Sequence, residues 1–319
     1  MDISFMEILK SVFTLSLGYA TVRICISIVF ASIGEMITER SGVLNMGVEG
    51  IMLMGAFTAA VVTHFTGNPW IGLLSAGLVG MLIGVIFAFM AITVKSDQAI
   101  SGLAIYLLGV GLSGFLLQIF FKHGGNTPRV ETLPIMHFKV LENIPIINEI
   151  FNDQSILMVP ALLLPIILYI IIYKTPWGTW LRAAGENPKS LAVVGKDPII
   201  IRYVAVIMGA FLAGIGGAYL SISQTSLFSE KMVNGRGFIA LSAVIFGNVK
   251  PGGVFAAAMF FSFMDALQYS LQTVIPDQYF PREVFMVLPY IITLLILAGF
   301  LKQSKGPADI TNPYEKESR

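Results

Sequence analysis

The chain predicts an all-α fold: a polytopic transmembrane bundle of about 8–10 helices, one of them short or broken near 238–248. Three observations carry this. Of 319 residues, 55% are hydrophobic and only 12% are charged, where a soluble domain carries about 25%. The mean hydropathy is +0.80. Apolar stretches of roughly 20 residues, the length that crosses a bilayer core, recur along the chain. So little charge cannot cover a surface in water, and the natural solvent for the outer face is lipid.

In order, the pattern predicts helices near 8–33, 43–63, 70–94, 98–121, 155–173, 199–222, 252–275 and 284–301. Asp2, Glu7 and Lys10 precede the first apolar run without a short apolar region and cleavage site, so this helix is expected to be retained as a span. The piece 238–248 is too short to cross upright; it is either a half-helix or a tilted, broken span. Residues 1–301 read as a single membrane domain, and the polar, proline-containing tail 302–319 as mobile.

Basic residues orient the bundle. The segment 174–202 holds Lys174, Arg182, Lys189, Lys196 and Arg202; the segment 122–153 holds Lys122, Arg129 and Lys139. The more basic loop is assigned to the cytoplasm. The tail, with Lys302 and Lys305, then lies inside if 238–248 crosses.

Several function classes are excluded. A net charge of +1 offers no field for nucleic acid. Cys25 is alone, so no disulfide forms within the chain, and His64, His123 and His137 lack metal-ligand spacing. No catalytic, metal or cofactor site is predicted, and no nucleophile–base pairing supports a membrane enzyme. Gly195-Lys196 is followed by Asp197, not by Ser or Thr, so there is no Walker A loop. An ATP-driven process would need its motor from another subunit.

The segment 177–195 (WGTWLRAAGENPKSLAVVG) reads as a short capped helix. Asn187 suits the N-cap, Pro188 the first helical position and Gly195 the left-handed end. Leu191, Val193 and Val194 give it an apolar surface that something must cover: a docking partner, or the bilayer itself.

Inside the membrane, Asp265 falls near the centre of its span, with Ser262, Gln268 and Gln272 on the same face. This stripe either lines a path for an uncharged, hydrogen-bonding solute or forms an internal strut, with Arg23 able to pair with Asp265. Asn45 and Glu49, near the start of the second span, either serve their own helix's positive end or flank the solute route. Glycine breaks at Gly42, Gly47 and Gly50 resemble those at Gly235, Gly237, Gly252 and Gly253, a weak sign of an internal repeat. Gly209, Ala213 and Gly217, then Ala210, Gly214 and Ala218, and Gly80 with Gly84, mark close helix packing, either internal or between subunits.

The 177–195 loop resembles the coupling loop of ABC-importer permeases, in the branch serving branched-chain amino acids, simple sugars and nucleosides. The stretch 34–56 (GEMITERSGVLNMGVEGIMLMGA), with 234–241 (NGRGFIAL) and 246–253 (FGNVKPGG), is most similar to the smaller permease subunit of bacterial nucleoside importers fed by Bmp-type lipoproteins. The resemblance implies a multi-pass protein of the bacterial inner membrane that moves nucleosides by alternating access and is not itself an enzyme. It implies an ATPase partner touching Glu186, Asn187, Pro188, Leu191, Ala192 and Gly195. It also implies a second, larger permease in a heterodimer and an extracytoplasmic lipoprotein that delivers solute. A permease for a simple sugar or other small polar solute is the near alternative. An ion-coupled secondary transporter using Asp265 and Glu49 is the distant one, and differs in failing when an uncoupler is added.

Overall fold

The structure, a computed structural model, describes residues 12–275, 284, 285, 287, 291 and 306–314. Local chemistry sets many helix starts. Four helices begin with a side-chain cap followed by proline, where the missing N–H is harmless. Asn68 accepts from Trp70 N before Pro69, Thr175 from Gly178 N before Pro176, Asn187 from Ser190 N before Pro188, and Asp197 from Ile199 N before Pro198.

In chain order, α1 is Leu15–Arg40, α2 Val48–Thr66, α3 Pro69–Ala88 and α4 Gln98–Phe121. Then come the short α5 (Pro145–Phe151), α6 (Met158–Lys174), α7 (Pro176–Glu186) and α8 (Pro188–Val193). Last are α9 (Pro198–Tyr219), α10 (Arg236–Phe246) and α11 (Pro251–Val274). Turns of wider, π geometry extend α3 over Phe89–Thr93 and α9 over Leu220–Thr225. Strands β1 (Ile135–Met136) and β2 (Gln154–Ser155) pair antiparallel in the 122–157 connection. Six described helices are long and apolar enough to cross a membrane; α6 and α7, meeting at 79°, make a seventh if they count as one bent span. The predicted span 284–301 lies almost wholly outside the described residues.

Burial sorts the helices. α1 is the central one, with 89% of its most apolar window inside the protein, against 22% for α4. Ile100, Leu103, Leu107, Phe115 and Ile119 of α4 and Leu163, Ile166 and Ile170 of α6 are exposed, apolar surface of the kind that lipid rewards. The small-residue faces pack internally. An added Cβ at Gly209 would strike Thr38 Oγ1 and Gly34 O; at Gly214 it would strike Ala76 O, and at Gly217 Met52 O. Close backbone approach of this kind replaces the hydrophobic drive that lipid removes.

Two corrections of helix bounds share one cause. The first helix runs on to Arg40, past the predicted end at 33, and the second starts at Val48, not 43. Glu35 and Glu39 look like an exit into water, yet Glu35 is buried and accepts Asn45 N at 2.8 Å. The residues 41–47 therefore fold back into the bundle as irregular chain, with Leu44 N held by Gln98 Oε1. Irregular backbone within a membrane protein is tolerated where protein groups satisfy it.

The same plan recurs inverted. α1, re-entry, α2, a Gly67-Asn68 turn and α3 with Pro69 at its start correspond to α9, the 226–235 segment, α10, a Gly247-Asn248 turn and α11 with Pro251 at its start. α1 and α9 run antiparallel: Gly34 lies on Gly209, and Ser27 Oγ donates to Gly216 O at 2.9 Å. Helices that begin inside the bundle, in matching places of two inverted halves, mark solute sites in many transporters.

Candidate solute path and coupling surface

Glu49, in the first turn of α2, is where the halves meet. Gly235 N donates to its Oε1 at 2.8 Å and Gly237 N to its Oε2 at 2.7 Å. α10 has no side-chain cap of its own, so an acid 186 residues earlier supplies one. The carboxylate faces the positive end of the α10 dipole as well as that of α2. Gly237 is required here, since a Cβ would lie 2.6 Å from Glu49 Cα. The clasp is deep: Gly50 packs on Ile105 and Gly109, about 10–16 Å along α4 from its start. Asn45, also buried, closes the re-entry by accepting Gly47 N at 2.9 Å.

Asp265 is different. It is partly buried, and among the described residues no side chain or backbone group bonds it; Arg236, at the start of α10, is the opposite charge that acts on both Asp265 and Glu49. The pairing of Arg23 with Asp265, one form of the strut alternative, is not formed. Arg23 instead donates to Gln224 O at 2.6 Å, on the π turn that ends α9. Ser262 is held by its own helix, donating to Ala258 O. Gln268 is buried on the same face as Asp265, and Gln272 Nε2 is buried without a partner among the described residues. Glu49 and Asp265 thus share the charge of Arg236, while Asn45 is spent on the loop.

At the basic end, α8 forms as a capped helix, and Gly195 has a φ of +78°. Its exposed apolar side chains are Val193 (87%) and Val194 (69%). Leu191, expected on that surface, is 2% exposed and packs into the core with Pro188; Glu186 and Asn187 are exposed and Ala192 half-buried. The reason is helical geometry: Leu191 lies three residues after Pro188, on the same inward face.

In the described part of the tail, residues 308–312 bond to the basic end: Asp309 N donates to Gly185 O, Thr311 N to Gly42 O and Ala308 N to Glu186 Oε2. Arg202, 2% exposed, anchors them. It donates to Ser41 O, Ala184 O, Asn312 O and Asp309 Oδ2 at 2.9–3.1 Å. Sequence reasoning counted Arg202 only as loop charge; its place four residues inside an apolar helix was the signal that it is paired.

The sequence matches, over residues 19–297, the family described as branched-chain amino acid transport system / permease component. It is 32% identical to the guanosine ABC transporter permease protein NupQ of Bacillus subtilis, over the full length of both chains. It is 31% identical to the nucleoside ABC transporter permease protein NupC of Lactococcus lactis, covering 88% of this chain and 90% of that one. It is 36% identical to the putative glucose ABC transporter permease protein TsgC13 of Haloferax volcanii, covering 96% and 99%. No solved structure matches. Permeases of this kind work with a separate ATPase and a substrate-binding protein. The inverted halves, the capped helix at the basic end and the match over nearly the whole chain agree, and the chain belongs to the ABC-importer permease family.

Proposed function

We propose that this permease carries nucleosides across the bacterial cytoplasmic membrane, driven by an ATPase that grips α8 from the cytoplasm. The observation that carries the reading is α8 itself. It is a capped helix whose valines are exposed at the basic end of the bundle, a surface that gains stability only when covered. Glu186, Asn187, Ala192 and Gly195 frame it, while Pro188 and Leu191 seat it on the membrane helices. A second, larger permease and an extracytoplasmic lipoprotein complete the assembly, as the resemblance to nucleoside importers implies.

The interior suits an uncharged solute. Half-helix N-termini attract anions, but the one at α10 is already occupied by Glu49. Asp265, Gln268 and Gln272 offer acceptors and donors that match the hydroxyls and base edge of a nucleoside. Glucose is the second reading, favoured by the 36% identity to the Haloferax relative.

Reconstituted with its ATPase, partner permease and binding lipoprotein, the protein is expected to hydrolyse ATP faster with guanosine than with glucose. A response to glucose alone moves the assignment to sugars. Uptake that stops on adding an uncoupler while ATP persists removes the ATP-driven reading. Replacing Val193 and Val194 together by Glu is expected to release the ATPase without unfolding the bundle, because both side chains are exposed.

A further inference from the structure

The described C-terminal residues do more than cover the basic end. Arg202 satisfies three separate segments at once: the end of α1 through Ser41 O, the end of α7 through Ala184 O, and the tail through Asn312 O and Asp309 Oδ2. A guanidinium buried this deeply is tolerated only when its donors are saturated, so the three segments are held as a unit. The tail then ties each neighbour a second time. Asp309 N donates to Gly185 O at 2.9 Å, next to the start of α8, and Thr311 N to Gly42 O at 3.0 Å, at the start of the re-entry. Glu186 accepts from Ala308 N at 3.3 Å and lies 3.9 Å from Arg40. Backbone contact is tight enough that glycine is required on both sides: a Cβ at Gly185 would strike Arg40 O, and Gly42 has a φ of +92°. Tyr314 lines a hollow at each end of α8, one with Asn187 and Lys189, the other with Ala192 and Lys196.

We propose that Arg202 and residues 306–314 form a positioning latch that clamps the α7–α8 junction to the start of the 41–47 re-entry, so that displacement of α8 by its motor is delivered to the loop leading to Glu49. The latch deepens the reading of α8 as the ATPase contact and rests on it. In this reading Arg202 and Asp309 act through the two segments they join. The route is short. Gly42 is bonded to the tail, Asn45 to Glu35, and Glu49 lies four residues further on, holding α10.

Amide hydrogen exchange on the full assembly, with and without a non-hydrolysable ATP analogue, tests this. The ATPase is expected to protect 188–195, and the analogue to change exchange at 42–47, where Leu44 N and Asn45 N report directly. In Asp309→Ala the response at 188–195 should remain, while the nucleotide-dependent change at 42–47 shrinks about fivefold or more; Asp309→Asn, which keeps one acceptor oxygen, should lose less. A part that was only a structural brace would raise exchange at 42–47 equally with and without nucleotide. That result, an undiminished nucleotide response in Asp309→Ala, or a wild-type protein in which 42–47 ignores nucleotide, overturns the latch alone. If the ATPase leaves 188–195 unprotected, the docking reading itself fails, and the latch with it.

Discussion

Glu49 and Asp265 are both carboxylates set deep among membrane helices, and the bundle treats them in opposite ways. Glu49 has each oxygen on a backbone N–H at 2.7–2.8 Å and joins the inverted halves. Asp265 has no bonding partner among the described residues and only the more distant charge of Arg236. Saturation makes the first a strut, whose removal leaves two buried donors without acceptors. The second has no such partner among the described residues, and on the proposed reading it is the acid that meets the solute. Depth alone does not distinguish structure from function in a membrane; what satisfies the group does.

Substitutions sharpen this contrast. Glu49→Ala is expected to have the largest effect, destabilising the bundle by ~2–6 kcal/mol at about 1–3 kcal/mol per orphaned N–H. Denaturant titration of the purified protein measures it, and a normal midpoint would show that the clasp is not structural. Asp265→Asn should leave that midpoint within about 1 kcal/mol while lowering solute uptake about tenfold (~1.4 kcal/mol). If Asp265→Asn unfolds and Glu49→Ala does not, the two roles are reversed.

The smallest effect lies at the opposite end of the bundle from α8. His137 is placed between Asp153 and Glu142, each at 3.0 Å, and their hydrogen bonds raise its pKa above 6.5. A raised folded-state value means the bonds are fully present below pH 6.5 and are lost as pH rises through the folded value. The side chain is half exposed, so solvent screens the gain. Exchange in 136–153 should speed modestly across that window in the wild type and show no such step in His137→Ala.

Much of this was legible in the chain. Hydropathy located the spans, and Asn187-Pro188 announced α8, because transfer free energy and capping act within a few neighbouring residues. The glycine breaks hinted at the repeat, though their spacings differ and only the antiparallel contact of α1 with α9 made it an inversion. Leu191 misled because an apolar side chain reads as awaiting a partner until the fold itself supplies the cover. The contacts of the tail were not legible, because its composition says nothing of Arg202, which bonds Asn312 O and Asp309 Oδ2.

By itself the sequence determined the solvent, the rough limits of most described apolar spans, the capped helix at the basic end and, through its resemblance, the family. Only the tertiary structure decided which acid is saturated, which leucine is hidden and where the tail is held. Those choices join residues such as Glu49 and Gly235, or Arg202 and Asp309, that are more than a hundred positions apart. Their partners are backbone groups that every residue carries, so no local pattern singles them out until the chain has closed around them.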